Sequence, residues 1–172
     1  MRFVADCYRA HDPKWAFSPL SGDGAALHGG RFNPVGTPAL YLALTIDGMF
    51  CEMSHGFARR FEPLTVCTYS VDIDHIVDLR TDSNRAVAST SLPELGCPWK
   101  ADHLAGRTPA SWLLASRLKL SSAKGVLVPS FATGARSDHV NLVLWRWGPN
   151  LPHKVTVHDP SGRLPKNQLS WT

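Results

Sequence analysis

Three residues between Gly22 and Gly56 carry side chains from which chemistry could be built. Arg31 follows a glycine pair, Tyr41 sits in an apolar run, and Glu52 lies in the segment after it. A guanidinium fork matches the geometry of phosphate oxygens. An aromatic ring offers a flat surface for stacking. A carboxylate stabilises the positive charge that grows on a sugar as its glycosidic bond breaks. Together these groups suit a ligand that joins a phosphate, a ribose and a ring. The glycines do not form a dinucleotide fingerprint: Gly22-x-Gly24 lacks its third glycine, because position 27 is Leu, and no clear apolar strand leads directly into it. The preferred reading is a loop that brings backbone N–H groups and Arg31 close to a phosphate. The alternatives are a surface turn and, for Arg31, a structural arginine that closes the loop.

Placing these groups requires a strand and a helix. Residues 39–44 form a continuous apolar run bounded by Pro38 and Thr45, which predicts a buried strand. Thr45 suits an N-cap, with Asp47 favourable in the first turn. The helix is expected to run to about Arg60, with Ile46, Met49, Phe50, Met53 and Phe57 as its core-facing stripe. Glu52 lies off that stripe, with Gly48 and Gly56 four residues to either side. Glycine inside a helix costs about 1 kcal/mol relative to alanine. The pair therefore marks either a close approach to the carboxylate or a frayed, kinked helix.

Further strands are predicted at residues 2–10, 64–71, 76–79, 125–130, 139–147 and 154–158. The stretch from Thr81 to Leu120 reads as mixed and helical, broken at Pro93, Pro98 and Pro109. Its clearest helix runs from Pro109 to Leu120, with Trp112, Leu113 and Ser116 or Leu120 on one face. Strands at both ends with helices between them indicate an α+β fold rather than a doubly wound parallel sheet. The 172 residues suit one domain, with a loosely ordered tail from about Asp159.

Hydrophobic content of 44% and charged content of 19% describe a globular chain. No apolar run reaches membrane-spanning length, and no secretory signal is visible at the N-terminus. Cys7, Cys51, Cys67 and Cys97 are widely spaced, without a C-x-x-C pair, which favours small buried hydrophobes over zinc ligands. The eight histidines show no metal-ligand spacing, although His28 and His55 lie beside the Arg31–Glu52 segment. The net charge of +4 invites a nucleic-acid reading, but the basic residues are scattered. Only Trp145-Arg146-Trp147 has the interleaved look of a nucleic-acid surface.

The run His28-Gly29-Gly30-Arg31-Phe32-Asn33-Pro34-x-Gly36-Thr37-Pro38-Ala39-Leu40-Tyr41-Leu42-Ala43 resembles the RES domain, together with Glu52, Val126-Leu127-Val128-Pro129-Ser130 and Asn141. That family takes its name from an arginine, a glutamate and a serine, matched here by Arg31, Glu52 and Ser130. Phe32 stands where the family usually has tryptophan. The resemblance implies a fold similar to ADP-ribosyltransferases, a split and mostly antiparallel sheet with a cleft for NAD. It implies a toxin of a bacterial toxin–antitoxin pair that consumes NAD, with water, phosphate or a protein side chain as acceptor.

Under that resemblance Glu52 stabilises the ribosyl cation, and Arg31 grips a pyrophosphate oxygen or the ribose. Arg9 is a second phosphate ligand, Tyr41 stacks on nicotinamide or adenine, and Ser130 and Asn141 are hydrogen-bonding supports. No metal is required. The implied partner is an antitoxin with an Xre-like region whose tail covers the cleft, and the implied location is the cytoplasm. Two readings from other classes stay open: a basic nucleic-acid-binding module and a non-enzymatic partner-binding protein.

Overall fold

The computed structural model of the chain describes residues 1–54 and 62–169. Seven strands form one sheet: β1 (Phe3–His11), β2 (Leu40–Ala43), β3 (Thr65–Ile73), β4 (Ile76–Asp78), β5 (Gly125–Pro129), β6 (Val140–Leu144) and β7 (His153–Val157). Their order is β4-β5-β6-β2-β1-β3-β7, antiparallel except for the parallel pair β4–β5. The helices are α1 (Asp23–His28), α2 (Ile46–Ser54), α3 (Asp82–Val87), α4 (Leu92–Leu95), α5 (Trp99–Leu104) and α6 (Ala110–Leu120). The α+β class expected from the sequence is the one observed.

The expected split appears as a near-break in a continuous sheet. β1 pairs with β3 along its whole length, from Phe3↔Ile73 to His11↔Thr65. With β2 it shares a single register pair, Tyr8↔Ala43. The sheet is thereby two blades, β4-β5-β6-β2 and β1-β3-β7, joined at this one pair. Strand alternation sends successive side chains to opposite faces. Leu40, Leu42, Leu127, Leu142 and Leu144 join one core cluster with Phe3, Cys7, Tyr69 and Ile73. Val126, Val128 and Val143 point the other way, into a second cluster with Leu95 of α4 and Leu114 and Leu118 of α6. β5 and β6 are apolar throughout because both of their faces are covered.

Two local readings are corrected. On α2 the buried residues are Gly48 and Met49, while Ile46, Phe50 and Met53 are exposed; Phe57, Gly56 and His55 lie outside the described residues. On α6 the buried positions are Ser111, Trp112, Leu114, Ala115 and Leu118, and both Leu113 and Leu120 face solvent. From Asp159 to Gln168 the chain has no strand or helix and is tied down locally. The Asp159 carboxylate accepts from the backbone N–H groups of Arg163 and Leu164, and Leu164 packs on the first core cluster.

Candidate active site

The Arg31 loop is held from every side. Trp112 Nε1 donates to Gly30 O at 2.7 Å, Ser111 Oγ to Arg31 O at 2.5 Å, and Trp145 Nε1 to Phe32 O at 2.9 Å. Tyr41 accepts from Phe32 N–H at 3.0 Å and donates to Asn33 Oδ1 at 2.7 Å. Asn33 is fully buried, and its amide donates to the carbonyls of Ala25, Pro34 and Thr37. A Cβ on Gly30 would lie 2.6 Å from both Asn33 Oδ1 and the Tyr41 hydroxyl, so only glycine admits this packing. These bonds also correct the phosphate-cradle reading: the N–H groups of Gly29, Gly30, Phe32 and Asn33 are already bonded within the protein. What the loop presents is the Arg31 side chain alone.

The Arg31 guanidinium is half-buried. Its Nη1 donates to Cys97 O at 2.6 Å and to Leu95 O at 3.4 Å, and its plane lies 4.9 Å from the centre of the Phe131 ring. Burial lowers its affinity for the proton, while the Cys97, Glu52 and Tyr41 side chains act in the opposite sense. Nε and Nη2 have no partner among the described residues. The Tyr41 hydroxyl is pushed up by burial and stays neutral, as its role in the loop requires.

Glu52 comes from α2, whose first turn is capped by Thr45: Oγ1 accepts from Gly48 N–H at 3.1 Å, as the sequence predicts. Two donors meet on a single oxygen of its carboxylate. Ser130 Oγ lies 2.5 Å from Oε1 and Asn141 Nδ2 lies 2.6 Å from it. Hydrogen bonds to a charged acceptor are the short, strong kind. Oε2 carries no bond among the described residues. Ser130 precedes Phe131, the ring beneath Arg31, so the two charged groups stand on adjacent residues of one loop. Gly48 lies beside the His139 ring, where a Cβ would approach to 3.5 Å, and one turn later Glu52 meets Asn141. The tightest neighbour of Gly48 is the capping Thr45 Oγ1, 2.8 Å from where a Cβ would lie, and Gly56 lies outside the described residues.

Arg9 stands elsewhere. Alternation places it on the face of β1 opposite Tyr8, the residue aligned through Ala43 with Asn141. Its guanidinium lines a cavity of about 780 Å³ with Trp15, Phe17, Ser21 and His28. One nitrogen donates to Ser21 O at 3.2 Å, and no carboxylate pairs with it among the described residues. Burial lowers its proton affinity. The structure therefore gathers Arg31, Glu52, Ser130 and Asn141 and keeps Arg9 apart, joined to them through the chain by His28, which leads into the Arg31 loop.

The sequence profile of the RES domain matches residues 6–167. The chain belongs to the RES domain family. Among proteins with a curated description, the RES domain is 32% identical over 99 residues to "Toxin Res" of Photorhabdus laumondii subsp. laumondii, a match that covers 54% of this chain and 64% of that protein. Among solved structures it resembles a chain of the M. tuberculosis MbcT–MbcA toxin-antitoxin complex, with a TM-score of 0.59 over 92% of this chain and 84% of the other. At 22% identity that likeness speaks to the fold.

Two features of this RES domain lay outside the sequence reading. Asp47, Asp138 and His139 bring one ligand atom each to within 4.8 Å of one another, which no histidine spacing announces. Arg136 pairs with both carboxylates and holds Asp47 well below the usual carboxylate range. The tryptophans of Trp145-Arg146-Trp147 are also spoken for. Trp145 bonds Phe32 O, Trp147 Nε1 donates to Leu20 O at 2.9 Å, and both rings pack against core clusters. Such rings are not free to stack on bases.

Proposed function

We propose that this RES domain cleaves the nicotinamide–ribose bond of NAD and serves as the toxin of a toxin–antitoxin pair. The observation that carries the reading is the Glu52 carboxylate. One oxygen is anchored by Ser130 and Asn141, and the other is uncommitted among the described residues, close enough to the half-buried Arg31 to favour its charged form. Such a fixed negative charge suits a sugar cation formed where water is scarce.

In the reaction the bond between ribose C1′ and the nicotinamide nitrogen breaks. Its electron pair leaves with nicotinamide and neutralises the pyridinium. The charge left on C1′ and the ring oxygen is stabilised by Glu52, whose free oxygen also accepts from a ribose hydroxyl. Arg31 uses Nε and Nη2 on a phosphate oxygen or the ribose, while Nη1 stays on Cys97 O. Arg9 takes the distal phosphate in its cavity, with the adenylate beside Trp15 and Phe17. The Tyr41 hydroxyl is spent on the Arg31 loop, so its contact with a flat ring would come from the ring face. Water, phosphate or a protein nucleophile then attacks C1′ and loses a proton. None of these roles calls for a metal.

The curated relative named a toxin and the toxin–antitoxin complex of similar fold support an antitoxin partner. Its Xre-like region and its tail over the cleft are inferred from the family, as is action on cytoplasmic NAD. No helix among the described residues is long and apolar enough to cross a membrane.

Incubating the purified protein with NAD labelled in both halves tests the reading. Nicotinamide release with label in ADP-ribose, in its 1″-phosphate when phosphate is present, or on a protein band of added extract identifies the acceptor. Intact NAD under all three conditions refutes the proposal.

A further inference from the structure

His139 is the residue on which two otherwise separate attachments of the Glu52 site converge. Its backbone carbonyl accepts from Ser130 N–H at 2.8 Å and so fixes the residue whose hydroxyl holds Glu52. Its ring is buried, with 3% exposure. Nδ1 accepts from Arg136 N–H at 3.4 Å, and Nε2 lies 3.3 Å from Asp47 Oδ2 on the first turn of α2. With Nδ1 accepting from Arg136 N–H, Nε2 is the ring nitrogen left to donate to Asp47. Arg136 bridges the same Asp47 from the β5–β6 loop.

The spacing explains why this matters. Gly48 packs on the His139 ring and Glu52 bonds Asn141. The four residues from Gly48 to Glu52 rise about 6 Å, and the two from His139 to Asn141 span about 6.8 Å when extended. Residues 139 and 141 thus hold α2 at both ends of this span, and a slip at the His139 end moves the carboxylate at the Asn141 end. Exposed ion pairs add little to stability by themselves. The Asp47–His139–Arg136 cluster therefore acts on placement.

We propose that His139 is a positioning residue that fixes the first turn of α2 against the start of β6, and with it the orientation of the Glu52 carboxylate. The catalytic consequence rests on the function proposed above; the placement itself does not. Nothing in the reaction requires His139 to touch substrate.

Glutamine and asparagine divide the ring's two contacts. The amide nitrogen of glutamine reaches the place of Nε2 and keeps the bond to Asp47, and the amide oxygen of asparagine takes the place of Nδ1 and keeps only the bond from Arg136. His139→Gln is expected to hold kcat for NAD loss within about fivefold of wild type. His139→Asn and His139→Ala are expected to lower it about 10- to 100-fold with KM within about twofold. The chain has three glutamates, Glu52, Glu62 and Glu94, so 13C-carboxyl labelling of glutamate gives a short spectrum in which Glu52→Gln identifies the Glu52 signal. That signal should move in His139→Asn in the direction produced by Ser130→Ala, and return in His139→Gln. A Glu52 signal indifferent to His139→Asn, or rescue by asparagine in place of glutamine, overturns the proposal. A wild-type protein that leaves NAD intact removes the proposed reaction, and the carboxyl spectrum still decides the placement.

Discussion

Replacing Ser130 by alanine removes one of the two donors on Glu52 Oε1, and Asn141→Ala removes the other. A hydrogen bond to a charged group contributes about 1.5–3 kcal/mol, so each loss is expected to slow NAD cleavage about 10- to 150-fold. The two effects should not multiply. Both donors hold the same oxygen, and a carboxylate with one donor left is free to turn about that bond. The first substitution takes most of the orientation, and the second finds little left to lose. The double variant is therefore expected within about threefold of the slower single variant. Initial rates of nicotinamide release from the four proteins close the cycle, with circular dichroism to confirm that each is folded. Ser130 and Asn141 are only half-buried, so the melting temperature should change little. Rates that multiply would mean that the two side chains act separately, on substrate rather than through Glu52. Single variants within about threefold of wild type would refute the anchoring role outright.

Three further outcomes follow from the same geometry. Gly48→Ala would gain about 1 kcal/mol in an ordinary helix; here its Cβ would fall 2.8 Å from the capping Thr45 Oγ1 and 3.5 Å from the His139 ring, and a net loss of about 1–2 kcal/mol is expected in urea unfolding, together with slower turnover. Tyr41→Phe leaves Phe32 N–H and Asn33 Oδ1 without their partner, for a loss of about 1–3 kcal/mol by thermal melting; unchanged stability would mean that the hydroxyl does not support the Arg31 loop. Burial lowers the His11 pKa to about 4, and the ring sits 2.5 Å from the Tyr69 hydroxyl. The unfolded chain takes up this proton near pH 6.5 and the folded protein only near pH 4, so the unfolded state binds more protons across that window and stability falls as the pH drops through it. Urea midpoints should show about 2–3 kcal/mol less stability at pH 4.5 than at pH 7 from this group, a difference that His11→Gln removes.

The strands were readable because apolar runs end at Pro38, Pro129 and the glycines, and because residues 125–130 and 139–147 are apolar enough for burial on both faces. The Arg31 loop and Glu52 were readable because they lie close together in the chain. Periodicity failed on α2 and α6 for a common physical reason. It finds the more apolar face of a helix, whereas packing also follows polar bonds and close approach. Ser111 is buried because its hydroxyl is needed at Arg31 O, and Gly48 is buried between the capping Thr45 hydroxyl and the His139 ring. Ile46 and Met53 stay outside although they are larger and more apolar. The Asp47–Arg136–His139 cluster and the meeting of Glu52 with Asn141 depend on the β5–β6 loop and β6 being brought beside α2, a matter of topology that spacing does not encode.

Glu52→Gln tests the central claim most directly. Glutamine keeps an oxygen for Ser130 and Asn141 and replaces the uncommitted one by an amide, so the charge goes and the framework stays. With NAD held at saturation, nicotinamide release by this variant is expected to fall by about 10³-fold, while its affinity for NAD stays within a few-fold of wild type. A glutamine variant that turns NAD over at the wild-type rate would contradict the account.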